Sequence, residues 1–193
     1  MSNAITYTNR YGQTYHLCEV ARKSGKTRFV FSREPRGKPV IAMPAGYVPA
    51  ESINGQVSLR KAGTSPIPEA EVQSVRAALG RQPHLSSYRV EAKKKTIVIY
   101  EPQGGIDPRI LFQEMGLDFR GGGEFSESKI TSSYSPVFRF RLIDQQERTF
   151  MAERMCYRSS LEGWLSLHDA GCLASLANKY LGHLGKDSLF ELC

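Results

Sequence analysis

The chain has 193 residues, with 26 Lys and Arg against 19 Asp and Glu, a formal charge of +7, and 40% hydrophobic residues. That balance excludes a wholly disordered polypeptide, and the length suits one compact domain or a domain with a small appended module. No apolar run reaches the roughly 18 residues of a spanning helix, and the opening Met1-Ser2-Asn3-Ala4-Ile5 lacks the pattern of a secretory signal, so a cytoplasmic protein of bacterial type with no membrane contact is expected.

The first third reads as an antiparallel β-meander. Ile5 to Thr8 and Thr14 to Val20 are β-branched and aromatic and flank a turn at Arg10-Tyr11-Gly12-Gln13. Lys23-Ser24-Gly25-Lys26 predicts a hairpin into Thr27 to Arg33, and Glu34 to Lys38 turns again into a short strand at Pro39 to Met43. Asn54-Gly55 marks a further hairpin leading into Gln56 to Arg60. Gly63-Thr64-Ser65-Pro66-Ile67-Pro68 breaks regular structure and is the expected linker, 63–68.

A helix follows from about Pro68 to Leu79, with Pro in its first turn, Glu69 and Glu71 at its positive end and Gly80 at its stop. Ser87 to Ala92 and Thr96 to Tyr100 read as a hairpin whose second strand is apolar almost throughout, as a central strand covered on both faces would be. Asp107-Pro108 opens a short helix to Met115. Residues 116–133, rich in Gly and Ser and containing Arg120-Gly121-Gly122-Gly123, read as a flexible loop. Val137 to Ile143 and Arg148 to Tyr157 form a second hairpin around Asp144-Gln145-Gln146, with Phe138, Phe140 and Leu142 facing the core and Arg139 and Arg141 facing water. Trp164 with Leu161, Leu165 and Leu167 reads as core or a partner-facing surface. The last helix runs from about Cys172 to Leu184, with Leu173, Leu176, Tyr180 and Leu184 on one face.

The expected fold class is α+β: an antiparallel β-meander at the N-terminus, then a mixed region of two hairpins and about three helices packed on one face. Residues 1–62 form a basic β module, either independent or continuous with the sheet of residues 69–193. Cys18, Cys156, Cys172 and Cys193 have no C-x-x-C spacing and read as reduced thiols, the first three buried; no metal site is expected, and no cofactor. His16, His84, His168 and His183 share no ligand spacing, and no Ser sits in a nucleophile elbow.

Charge is the informative signal. Residues 1–64 hold ten Lys and Arg but three acids, while residues 101–193 hold ten and thirteen. Arg22, Lys23, Lys26, Arg28, Arg33, Arg36 and Lys38 crowd into one stretch interleaved with Phe29 and Phe31. Cations in that density attract phosphates or carboxylates whatever the sequence of the partner. If the two phenylalanines are core, the patch contacts backbone and offers no stacking platform. The leading expectation is a non-enzymatic binding or scaffold protein that meets an acidic protein through this face. The first alternative is sequence-nonspecific nucleic-acid binding by the same residues. The second is a metal-dependent nuclease or phosphodiesterase using Glu91 and Lys93, whose acid-x-Lys spacing on a strand locally resembles nucleases of the restriction-endonuclease type. An upstream strand Asp, which that resemblance requires, is missing between residues 64 and 90.

Overall fold

Strand-forming sequence dominates both halves of the chain, and among the described residues the helices all follow residue 68. The structure is a computed structural model that describes residues 4–22, 25, 27–63, 65–103, 133–157 and 163–192. They form an α+β fold whose N-terminal antiparallel meander precedes a larger sheet with two packed helices. The described residues divide into two compact units. The expected helix at 107–115, the expected loop at 116–133 up to residue 132, Lys23, Lys26 and Cys193 lie outside the described residues, and Ser133 already belongs to a strand.

In residues 4–63, β1 (Thr6–Thr8), β2 (Thr14–Ala21) and β3 (Thr27–Ser32) form the meander in the order β1-β2-β3. The turn between β1 and β2 is fixed by Asn9, which is 4% exposed. Its Oδ1 accepts the backbone N–H groups of Tyr11 at 3.0 Å and Gln13 at 2.8 Å, and its Nδ2 donates to the Gly55 carbonyl at 2.7 Å. A buried amide that satisfies three backbone groups ties one turn to another.

Gly55 lies in the turn joining β5 (Tyr47–Glu51) and β6 (Val57–Lys61), as Asn54-Gly55 predicts. Its φ of +71° suits glycine, and a Cβ there would stand 2.5 Å from the Tyr11 ring. Tyr15, Leu17, Cys18 and Val57 form the small core of this unit.

The strand expected at Pro39 to Met43 shrinks to β4 (Lys38–Pro39), which pairs with β2. The cause is competition for an edge. The Val40 carbonyl accepts from Ile5 N–H at 2.9 Å, and Ile5 in turn accepts from Leu17 N–H at 2.9 Å. From there β1 occupies the edge of β2, so residues 41–43 have no strand to pair with.

In residues 65–103 and 133–192, β7 (Arg89–Lys93), β8 (Thr96–Gln103), β9 (Ser133–Asp144), β10 (Thr149–Cys156) and β11 (Gly163–Cys172) form one antiparallel sheet in the order β11-β10-β9-β8-β7. One face carries Val90, Ile97, Ile99, Phe138, Phe140, Leu142, Phe150 and Ala152. Against it pack Val72, Val75 and Leu79 of α1 (Glu69–Gly80) and Leu173, Leu176 and Tyr180 of α2 (Leu173–Tyr180). The helices therefore cover one face, as expected for α+β layering. Strand β8, expected to be central, is an interior strand between β9 and the edge strand β7, with Ile97, Val98, Ile99 and Tyr100 all buried.

Strand β11 is a departure from the sequence reading, which saw only an apolar cluster near Trp164. Its alternation is broken by a bulge: Glu153 faces Ser166 and Met151 faces Ala170, with His168 at φ +53° between them. A bulge shifts the side-chain period and hides a strand from pattern reading. Cys172, expected to be buried, is exposed where β11 gives way to α2, while Cys18 and Cys156 are buried. Helix α2 stops at Tyr180 and continues as a 3-10 turn, Leu181–His183, so the last helix is shorter than its apolar spacing implies.

Candidate functional site

Strand alternation decides where the basic stretch points. Leu17 faces Phe31 and Glu19 faces Phe29 across the β2–β3 ladder, whereas Arg28 faces Val20 on the other side. Lys38 lies opposite Glu19, and so on the side of the two phenylalanines. Arg33 follows the end of β3 and reaches that side too: its guanidinium carbon lies 5.8 Å from the centre of the Tyr15 ring, and its Nε donates to the Tyr15 hydroxyl at 3.4 Å. Arg36 pairs with Glu34 at 3.2 Å in the turn between β3 and β4. Arg22 is exposed just beyond β2. The structure thus brings Arg33 and Lys38 to one side of the meander and sets Arg28 on the other.

Neutralisation is incomplete. Of the acids in residues 4–63, Glu51 is taken by Arg10 and Glu34 by Arg36. The hydrogen bond that Arg10 donates to Glu51 raises the Arg10 pKa, more than burial lowers it. Arg22, Arg28 and Lys38 are exposed and make no ion pair with a described residue. Arg60 and Lys61 on β6 are likewise exposed and unpaired, and they were missed because they stand outside the dense run. Phe29 is 39% exposed, so the aromatic side of this sheet is only partly withdrawn into the core.

The pair Glu91 and Lys93 sits on β7, on the face of the large sheet away from the helices. The Lys93 ammonium lies 3.1 Å from Glu91 Oε2 and donates to the Tyr100 hydroxyl at 2.6 Å. Burial lowers the Lys93 pKa, but the Tyr100 hydrogen bond and the charge of Glu91 together raise it above its ordinary value. Glu91 is therefore already matched to an internal cation. Among the described residues, no group of three His, Cys, Asp or Glu is placed to hold a metal ion.

The same face holds a network around Glu153, where Arg139 and Arg141 were expected to face water. Glu153 on β10, 5% exposed, accepts from Arg139 and from Arg141 Nε at 2.9 Å. Arg139 also stacks on Trp164, its guanidinium carbon 4.3 Å from the ring centre. Arg139 and Arg141 are thus held by an acid and a ring rather than pointing freely into water. The signal was present in the register: Glu153 faces Arg139 and Ser166 directly across β9 and β11. Arg148 reaches Glu71 of α1, with Nε at 2.9 Å from Oε1.

No known protein family, curated protein or solved structure matches this chain. Among the described residues, no helix is long and apolar enough to cross a membrane.

Proposed function

We propose that this chain is a non-enzymatic binding protein whose basic N-terminal unit meets an acidic protein partner. The observation that supports the reading is the surplus of exposed cations in residues 4–63 that form no ion pair among the described residues: Arg22, Arg28, Lys38, Arg60 and Lys61, beside three acids of which Glu51 and Glu34 are committed to Arg10 and Arg36 and only Glu19 is not. Lys23 and Lys26 add to the same stretch of sequence. Exposed cations of this kind steer a partner of opposite charge and lose their grip as salt screens them.

A second reading, binding of unpaired nucleic acid, is favoured by one feature. Phe29 leaves an aromatic ring exposed between Arg28 and the half-buried Phe31, and such a ring can stack on a base. Glu19, directly opposite Phe29, weighs against phosphates on that side.

The readings separate in one titration. Polyglutamate and a single-stranded oligothymidylate are each titrated at about 50 and 200 mM salt, against the native chain, a triple variant Arg22→Glu, Arg28→Glu, Lys38→Glu, and Phe29→Ala. The leading reading expects salt-sensitive binding of polyglutamate, lost in the triple variant and unchanged in Phe29→Ala. Tighter oligothymidylate binding that weakens in Phe29→Ala selects nucleic acid. Binding of both probes unaffected by the triple variant overturns the site.

A further inference from the structure

The unit that carries the large sheet contains a pocket of about 510 Å³ that the basic stretch does not involve. It opens where β8 and β10 end and β9 begins, and the chain after α2 closes it on one side. Its volume is that of a site for a small organic molecule. Its apolar and aromatic walls include Tyr88, Met155, Tyr157, Leu189 and Phe190, and its polar lining comprises Glu101, Gln103, Ser135, Lys186 and Asp187.

Glu101 is a half-buried carboxylate whose charge is not matched. One oxygen accepts the Tyr88 hydroxyl at 2.6 Å. No Lys or Arg among the described residues lies within ion-pair distance of it, in contrast to Glu91 and Glu153 on the same sheet. Burial, and then the hydrogen bond to Glu101, push the Tyr88 pKa well up, so the phenol stays protonated and keeps donating. The charged lining residues are Glu101, Asp187 and Lys186, a formal balance of one negative charge. The pocket is therefore locally acidic on a chain whose formal charge is +7.

The aromatic lining fits the same sign of ligand. Phe190 is 64% exposed and Tyr157 53% exposed, and both line the cavity with faces that attract cations. The walls are held in place without a ligand. Arg154 Nε donates to the Leu192 carbonyl at 3.1 Å, His183 Nδ1 shares a hydrogen bond of 2.9 Å with Ser188, and the Tyr157 hydroxyl donates to the Pro136 carbonyl at 2.6 Å. Such preorganisation lowers the ordering cost of binding.

We propose that this pocket binds an organic cation: an amine or alkylammonium group on an apolar body, the charge against Glu101 and the body against Tyr88, Tyr157 and Phe190. The chemistry is shared by a free small amine and by a lysine side chain of a peptide. The proposal is independent of the polyanion reading, since it uses none of the residues of the N-terminal unit.

The test is calorimetric titration of the full chain with hexylamine, with neutral hexanol, and with a short peptide bearing one lysine between leucines. Hexylamine is expected to bind at least about tenfold more tightly than hexanol, a factor that corresponds to about 1.4 kcal/mol. Glu101→Gln keeps an acceptor for Tyr88 and should abolish that preference while leaving hexanol binding intact. Phe190→Ala changes an exposed side chain and should weaken the amine several-fold, which tests the site even where Glu101→Gln is unstable. Hexylamine binding with the peptide excluded marks a small-molecule site, and tighter peptide binding marks a side-chain receptor; both support the proposal. Equal affinity for amine and alcohol, no binding of any probe, or an amine preference that survives Glu101→Gln overturns it.

Discussion

Glu153 shows how much a single register position can decide. It is 5% exposed and lies between Arg139 and Arg141, so its removal leaves two half-buried guanidinium groups facing each other. Breaking a buried ion pair from one side typically costs about 3–5 kcal/mol, far more than the ~0–1 kcal/mol of exposed pairs. Glu153→Ala is therefore expected to lower the unfolding free energy by about 3 kcal/mol in urea denaturation, with the lower end taken because Arg141 is partly solvated. A loss under about 0.5 kcal/mol would show that water screens the triad. The types of these residues were plain in the sequence, and so was the alternation of Arg139 and Arg141 with core phenylalanines. Their partner was not, because it depends on which strand lies alongside and in which register, and a shift of one residue would have turned Glu153 to the other face.

At the scale of elements, helix α2 is tied to β11 by one carboxylate. Asp169 Oδ2 accepts from the Lys179 ammonium at 2.6 Å and from the Tyr180 hydroxyl at 2.7 Å. These two bonds, that from Lys179 foremost, hold the Asp169 pKa below its ordinary value. A depressed carboxylate pKa gives stability that is present above the unfolded pKa of about 3.9 and is lost as pH falls through the folded value. Asp169→Asn should therefore be less stable than the native chain at pH 7, and the gap should close once the pH drops below about 4. A gap of equal size at pH 7 and pH 2.5 in thermal unfolding would show that the tie does not depend on ionisation.

Elements with a strong period were legible: the β1–β2 turn, α1 with its first-turn acids, and the β7–β8 and β9–β10 hairpins all stand where local chemistry puts them. Two kinds of element were not. Strand β11 is interrupted by the bulge around His168, so neither alternation nor helical spacing describes it. The strand after β4 depended on an edge that β1 had already taken, which is a matter of tertiary competition and not of propensity.

At the scale of the molecule, charge and pocket chemistry are divided between the two units. The N-terminal unit carries exposed cations in excess of its acids Glu19, Glu34 and Glu51, whereas the unit with the large sheet ties Glu71, Glu91 and Glu153 to basic side chains and holds a pocket lined by Glu101. The charge asymmetry could be counted from the sequence. The split of Arg28 from Arg33 and Lys38 across the two sides of the meander, and the participation of Arg60 and Lys61, required the ladder of β2 with β3 and β4 and the course of β6. The pocket was invisible in advance because its lining comes from five separate stretches of chain, and no spacing rule links Tyr88, Glu101, Val137, Tyr157 and Phe190.

The central claim is that the basic unit is where an acidic partner lands, and backbone amide NMR mapping with polyglutamate tests it most directly. The account predicts shifts concentrated at Arg22, Arg28, Lys38, Arg60 and Lys61 that fade as salt is raised from about 50 to 200 mM. Shifts confined to residues 65–192, with those five amides unmoved, would contradict it.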